Sequence, residues 1–350
     1  MERLDRIKGC LLGGAVGDAL GASVEFLDWS GIQRKYGHTG VKDFQPIYGR
    51  VGAITDDTQM MLFTAEGMLR ALVRARSRGI CSVPSVIHHA LMRWYMTQGG
   101  KPIMEVGQDG WLIQQQALWS QRAPGLTCMS ALGESRHFGM QASNNSKGCG
   151  GVMRVAPCAF LEAAFEHAAE SSRLTHAHPT GYLAAGLFAD ILQRLEQTQC
   201  GLDQAIRASL ATYGEQSGME ETREIVEKVL RLSSTGTLPS PEGIAALGGG
   251  WIAEEALAIG LWCALMAKDF EQGVVWAVNH SGDSDSTGLI AGHLLGIQLG
   301  VEAIPSRWLR QLELREVIEQ VATDLEWVPR AYDGEYGEHD DAIWERYPGW

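Results

Sequence analysis

Positive charge, paired cysteines and long apolar runs are all scarce in this chain. Only 29 lysines and arginines stand against 42 acidic residues, for a formal charge of −13. Such a surface repels phosphate, which argues against nucleic acid or an anionic membrane as a partner and suits a protein that gathers cations. The seven cysteines are odd in number, scattered, and contain no C-x-x-C. That spacing argues against a disulfide framework or a zinc site and points to a reducing compartment. The longest uninterrupted apolar run, residues 256–267, is too short to span a bilayer. The N-terminus superficially resembles a signal peptide, but Glu2 and Asp5 spoil its basic leader and Asp18 interrupts its apolar stretch. A cytoplasmic protein is expected.

Alternating strand patterns with hairpin turns are also nearly absent, and there is no internal repeat. What is present is helical periodicity. Met60, Met61, Thr64, Ala65, Met68 and Leu69 recur at spacings of three and four after a TDDT start, and residues 251–266 behave likewise. Glycine-rich or polar breaks fall near 31–54, 99–110, 142–151, 233–250 and 280–288, and none reads as a linker. The expectation is one all-α domain over 1–350 with a short acidic C-terminal tail. Gly13, Gly14, Gly17 and Gly21 sit inside a helical segment, where each costs roughly 1 kcal/mol against alanine. Close helix–helix contact is the reading that compensates.

Two acidic motifs stand out. Thr55-Asp56-Asp57-Thr58 precedes one amphipathic helix, and Ser281-Gly282-Asp283-Ser284-Asp285-Ser286-Thr287-Gly288 precedes another at 289–299. Capping explains either motif alone, since Asp, Ser and Thr satisfy free N–H groups at helix starts. The second has too many acids and hydroxyls for one cap. Hard cations such as Mg²⁺ take carboxylates plus a hydroxyl or carbonyl, and both motifs supply such sets.

Taken together, GCLLGGAVGDALGASVEF (9–26), TDDTQM (55–60), RAPGLTCMSAL (122–132), SKGCGGVMRVAP (146–157), THAHPTGYLAAG (175–186), GGGWIAEEAL (248–257) and HSGDSDSTGLIAG (280–292) resemble, in order, the ADP-ribosylhydrolase (ADP-ribosylglycohydrolase) family. The likeness is nearest to its arginine-specific branch and spans nearly the whole chain. It implies an all-α orthogonal helical bundle and two magnesium ions held by Thr55, Asp56, Asp57, Asp283, Asp285 and Ser286. Serine stands at the last position where the family often has threonine, and it keeps the hydroxyl. Glu25 matches the family's mobile glutamate near the metals. Asp56, Asp57, Glu25 and Asp283 are the implied catalytic acids, with Asp56 the preferred general base and Glu25 gating access. Ser146, Lys147, Gly148, Cys149, Gly150 and Gly151 match the diphosphate loop, although the family often has asparagine at Cys149. His176 matches the histidine beside the phosphates. His178 shares its break, and Trp251 belongs either near the adenosine end or in the core.

The implied activity is hydrolysis of the bond between ribose and a modified arginine, with an ADP-ribosylated protein as substrate. Serine-linked or polymeric ADP-ribose is the alternative substrate. Steric blocking of an ADP-ribosyltransferase toxin is the alternative role, using residues 29–48 and the acidic tail 333–341 unless these are simply solvated loops.

Overall fold

The computed structural model describes residues 1–331 and 341–349. In chain order the α-helices among the described residues are α1 (Arg3–Gly21), α2 (Trp29–Tyr36), α3 (Asp56–Arg78), α4 (Val83–Thr97), α5 (Leu126–Gly133), α6 (Ala164–Arg173), α7 (Pro179–Thr198) and α8 (Leu202–Tyr213). They continue as α9 (Glu220–Ser234), α10 (Pro241–Ala245), α11 (Ala253–Met266), α12 (Phe270–Val278), α13 (Ser284–Leu299), α14 (Ser306–Leu309), α15 (Arg315–Ala331) and α16 (Asp341–Arg346). Strand is confined, among these residues, to an antiparallel hairpin pairing Pro46–Ile47 with Arg50–Val51. Tyr48 and Gly49 turn it, both at positive φ (51° and 81°), as a two-residue hairpin loop requires. The all-α expectation holds. Of the acidic tail, 333–340 lies outside the described residues, and only Asp341 falls within them.

Helix α13 is the axis of the molecule. Its residues from Ser284 through Ile297 are all buried, and it packs on α1, α11 and α12. A helix apolar all round belongs in a core. Glycines determine how closely α1 approaches it. A Cβ on Gly9, Gly13 or Gly17 would strike the carbonyl oxygen of Gly296, Gly292 or Gly288 respectively, and one on Gly21 would strike that of Ser284. The reciprocal clashes hold for Gly288, Gly292 and Gly296. Two antiparallel glycine stripes thus lie backbone to backbone, and Gly14 makes room for the His293 ring. The close-contact reading of these glycines is correct, and its functional consequence is positional. The C-terminal end of α1, with Asp18 and Glu25, is brought beside the N-terminal end of α13, with Asp283 and Asp285.

Two expected boundaries shift. The break at 31–54 contains most of α2, capped by Asp28 through Gly31 N–H. Helix α13 starts at Ser284, five residues before the expected 289, because Asp283 caps it by accepting from Ser286 N at 3.3 Å. Asp285 and Ser286 therefore lie in the first helical turn.

Candidate active site

The two acidic motifs are brought to one place by a buried carboxylate that sequence reasoning left out. Asp18, on α1, is fully buried and accepts hydrogen bonds from Thr55 N (3.0 Å), Thr58 N (3.2 Å) and Thr58 Oγ1. It ties the start of α3 to α1. Glu313 anchors the preceding loop, accepting from Ile54 N at 3.1 Å and pairing with Arg122 at 3.0 Å. Asp56 N donates to Arg122 O at 3.0 Å, and Thr55 caps α3 through Asp57 N at 3.2 Å. On the other side, Asp283 N donates to Gly249 O at 2.8 Å, and Glu255 holds Gly249 N and Gly250 N at 2.9 and 3.2 Å. The signal for Asp18 was present: an aspartate inside an otherwise apolar helix is costly unless several donors satisfy it.

The motifs then meet directly. Ser286 Oγ donates to Asp57 Oδ2 at 2.7 Å. Asp56 Oδ2 accepts from Gly125 N at 3.2 Å. Oxygens of Glu25, Asp283 and Asp285 lie within 4.8 Å of one another. Glu25 is 8% exposed, and its buried Oε2 has no hydrogen-bond partner. Crowding of this kind favours protons. Burial pushes the Glu25 carboxyl up to about 11, with Asp285, Asp283, Asp56 and Asp18 adding to it. Burial and then Asp285 raise Asp18 to about 7. The same two causes push Asp56, Asp57 and Asp283 well above the carboxylate range. A cluster that resists its own ionisation, and that offers carboxylate and hydroxyl oxygens with only the Cys149 thiol (2.7 Å from Asp283 Oδ2) beside them, fits a hard divalent cation.

The acids form the floor of a cleft of about 420 Å³. Gly148, Cys149, Gly150 and His176 line one wall, and Pro124 to Cys128 line another. No lysine or arginine is among its lining residues. At the mouth Phe26 (72% exposed) and Trp251 (46% exposed) stack at 6.1 Å between ring centroids, 21° apart. Trp251 therefore belongs to the cleft, not the core. Phe26 was not expected there, since an exposed aromatic next to Glu25 carries no sequence signal of its own.

The glycine loop departs from the sequence reading in detail. Gly148 N donates to Ser146 Oγ (3.2 Å) and Cys149 N to Trp251 O (3.1 Å), so neither amide is spare for an anion. Lys147 Nζ pairs with Glu221 at 2.7 Å and Glu254 at 2.5 Å, and Lys147 is not among the lining residues. Its expected charge at the diphosphate is thus neutralised elsewhere. Gly151 is buried and packs under Ser172. A fully buried arginine missed from sequence, Arg154, supports the loop from behind, donating to Gly150 O at 2.8 Å and Ser171 O at 2.6 Å. His176 Nδ1 bonds Thr175 Oγ1 at 2.8 Å. Its Nε2 edge faces Gly148 and Gly150, and burial holds the ring down at about 3, hence neutral. His178 caps α7 by accepting from Thr180 N at 3.2 Å and does not line the cleft.

A fold helical but for one short hairpin among the described residues, built around a central buried helix with two acidic helix starts facing a glycine loop and a histidine, defines a class of hydrolases. The sequence model of the ADP-ribosylglycohydrolase family matches residues 1–335, and the chain belongs to that family. It is 27% identical to the ADP-ribosyl-[dinitrogen reductase] glycohydrolase of Rhodospirillum rubrum, covering 91% of this chain and 94% of that one. It is 25% identical to the ADP-ribosylarginine hydrolase Tri1 of Pseudomonas putida, covering 93% and 78%. The mouse ADP-ribosylhydrolase ARH3 is similar at 23% identity, covering 92% and 91%. A solved structure described as an ADP-ribosylglycohydrolase-related protein complex superposes with a TM-score of 0.67 at 28% identity, covering 93% of this chain and 98% of that one. No helix among the described residues is long and apolar enough to cross a membrane.

Proposed function

We propose that this chain is a magnesium-dependent hydrolase that removes ADP-ribose from arginine side chains of modified proteins. The observation that carries the reading is the meeting of Asp56 and Asp57 with Asp283, Asp285 and Ser286 in one cleft, joined by the 2.7 Å bond from Ser286 to Asp57. Two carboxylates 4 Å apart repel by about 4 kcal/mol at an effective dielectric of 20. The unpartnered Oε2 of Glu25 marks where compensation is missing. Two magnesium ions would be held by Thr55, Asp56, Asp57, Asp283, Asp285 and Ser286. When bound, they supply Lewis acidity that orients ribose hydroxyls and acidifies a water.

The chain's own residues do the rest. Asp56, with one oxygen fixed by Gly125 N, turns its carboxylate to the cleft and takes a proton from the attacking water as general base. Glu25, between the mouth and the acids, gates access. Cleavage builds positive charge on the ribose, as in other glycoside hydrolyses, and the ring of carboxylates stabilises it. His176 and Gly150, which face the cleft, hold the diphosphate, with Arg154 adding positive potential from behind. Phe26 and Trp251 flank the adenosine end.

Arginine is favoured over serine by charge. An ADP-ribosylated guanidinium is cationic and the leaving guanidine departs neutral, whereas a serine linkage starts neutral and its oxygen needs a proton to leave. Five carboxylates against two divalent ions leave the cleft a residual charge of about −1, with no lysine or arginine lining it, and this favours the former. The name of the P. putida relative, an ADP-ribosylarginine hydrolase, agrees. The test is release of free ADP-ribose from an arginine-modified protein with and without Mg²⁺, beside serine-linked and polymeric substrates. Release from the arginine protein that needs Mg²⁺ and vanishes in Asp285→Ala is expected. Full activity in excess EDTA, or cleavage of the serine linkage alone, would refute it.

A further inference from the structure

We propose that Tyr48, at the tip of the hairpin, is the specificity-determining contact for the arginine side of the substrate, its ring taking the guanidinium of the ADP-ribosylated arginine as a cation–π partner. This rests on reading the cleft as an ADP-ribosylarginine site. The wall segment 122–128 runs past the acids from one side to the other. At one end, Cys128 Sγ and the His176 ring both crowd the space a Cβ on Gly150 would take, where the diphosphate is held. In the middle, Gly125 N donates to Asp56 Oδ2 at 3.2 Å. At the other end, Arg122 O accepts from Asp56 N at 3.0 Å, and the Arg122 guanidinium lies 5.0 Å from the centroid of the Tyr48 ring. ADP-ribose laid along this wall, with its diphosphate at His176 and its reacting ribose carbon at the acids, directs the aglycone towards Tyr48.

The hairpin is fixed to the same frame as the acids. Glu313 accepts from Arg50 Nη1 and Arg122 Nη2, each at 3.0 Å, and from Ile54 N at 3.1 Å, so hairpin, wall and the approach to α3 share one carboxylate. Tyr48 occupies the left-handed region at φ 51°, where asparagine is usual and a bulky side chain is disfavoured. Backbone held in that region persists where the surrounding structure requires it, and such residues cluster at ligand clamps. Tyr48 is 39% exposed, so with Arg122 against its ring it still keeps surface for a ligand. The field of the acids reaches it: burial first, then Glu25, Asp285, Asp18 and Asp56, raise its phenol above the ordinary value. Arg122 is paired with Glu313 and so does not repel an incoming cation at full strength. A guanidinium is planar and weakly hydrated and stacks well on an aromatic face, whereas a serine linkage offers no cation to the ring. The contact is made to the ground-state cation, since the guanidine leaves neutral, and it therefore governs KM and not kcat.

The experiment measures kcat and KM of the full chain on ADP-ribosylarginine with Mg²⁺, and the Kd of ADP-ribose, which lacks the aglycone, by calorimetry. Tyr48→Asn removes the ring and keeps a residue suited to the turn, and thermal unfolding shows that the variant is folded. Its KM should rise roughly 5- to 30-fold, with no fall in kcat and no change in the Kd of ADP-ribose. Tyr48→Phe, which returns the ring without the hydroxyl, restores the natural KM. An unchanged KM in Tyr48→Asn, a matching loss of ADP-ribose affinity, or a KM in Tyr48→Phe as high as in Tyr48→Asn overturns the proposal. If the natural chain cleaves no arginine linkage, the hydrolase reading fails, and ADP-ribosylarginine then serves as an uncleaved ligand. In that case the role of Tyr48 stands if Tyr48→Asn weakens binding of ADP-ribosylarginine and not of ADP-ribose, and falls if both Kd values hold.

Discussion

Gly17→Ala tests whether the glycine stripes set the geometry of the acids. By propensity alone the change should stabilise α1 by roughly 1 kcal/mol. In the tertiary structure the new Cβ lies well inside contact distance of Gly288 O, C and the next amide nitrogen, all backbone atoms that no rotamer change can move. Restoring van der Waals separation requires α1 and α13 to part by about 1 Å. Overpacking of this kind costs about 1–3 kcal/mol. Because Asp18 and Glu25 travel with α1 and Asp283 and Asp285 with α13, the acids spread as well. A misplacement of about 1 Å at reacting groups costs on the order of 100-fold in rate. Urea unfolding and ADP-ribose release with titrated Mg²⁺ measure the two effects together. The control is Gly201→Ala, where an added Cβ meets nothing within 4 Å. A Gly17→Ala protein as stable as the natural one, with the same rate and Mg²⁺ requirement, would refute the reasoning.

Three further outcomes are expected. Asp18→Asn leaves one amide nitrogen facing the donors of Thr55 and Thr58, and it should lower stability by about 1–3 kcal/mol and weaken Mg²⁺ binding, read by unfolding and calorimetry. The carboxyls of Asp18 (about 7) and Glu25 (about 11) are raised in the folded chain, so without metal folding takes up protons above pH 4 and these groups stabilise less as pH rises. Mg²⁺ replaces those protons, so the rise in Tm on adding Mg²⁺ should be larger at pH 8 than at pH 5, and an equal rise at both would contradict the fit. Trp251→Ala removes half of the exposed stacked pair, and since stacking a base is worth about 1–3 kcal/mol, KM should rise roughly 5- to 150-fold with kcat little changed.

Much of the site is legible in one dimension because its parts are short and local. Thr55 to Asp57 and Asp283 to Ser286 each combine a helix cap with spare oxygens, a pattern visible within a few residues. The glycine spacing in α1 announces a close neighbour, though not that α13 carries the matching stripe. Lys147 shows the limit: its sequence neighbours suggest an anion, while Glu221 and Glu254, 74 and 107 residues away, take its charge. Phe26 and Arg154 were missed for the same reason, since each acquires its role only from partners distant in the chain; Asp18 gave a local signal of burial, but its partners on α3 lie about 40 residues away.

By itself the sequence determined the helical class, the cap that starts α3, and the chemistry of the side chains in both acidic motifs, because these depend on periodicity and on contacts within one turn; it placed the start of α13 five residues late. Tertiary structure alone decided that the two acidic starts share a cleft, that Asp18 ties the start of α3 to α1, and which charges face inward. Those facts follow from packing α1 against α13 at backbone contact, a long-range event whose geometry no local stretch of residues records.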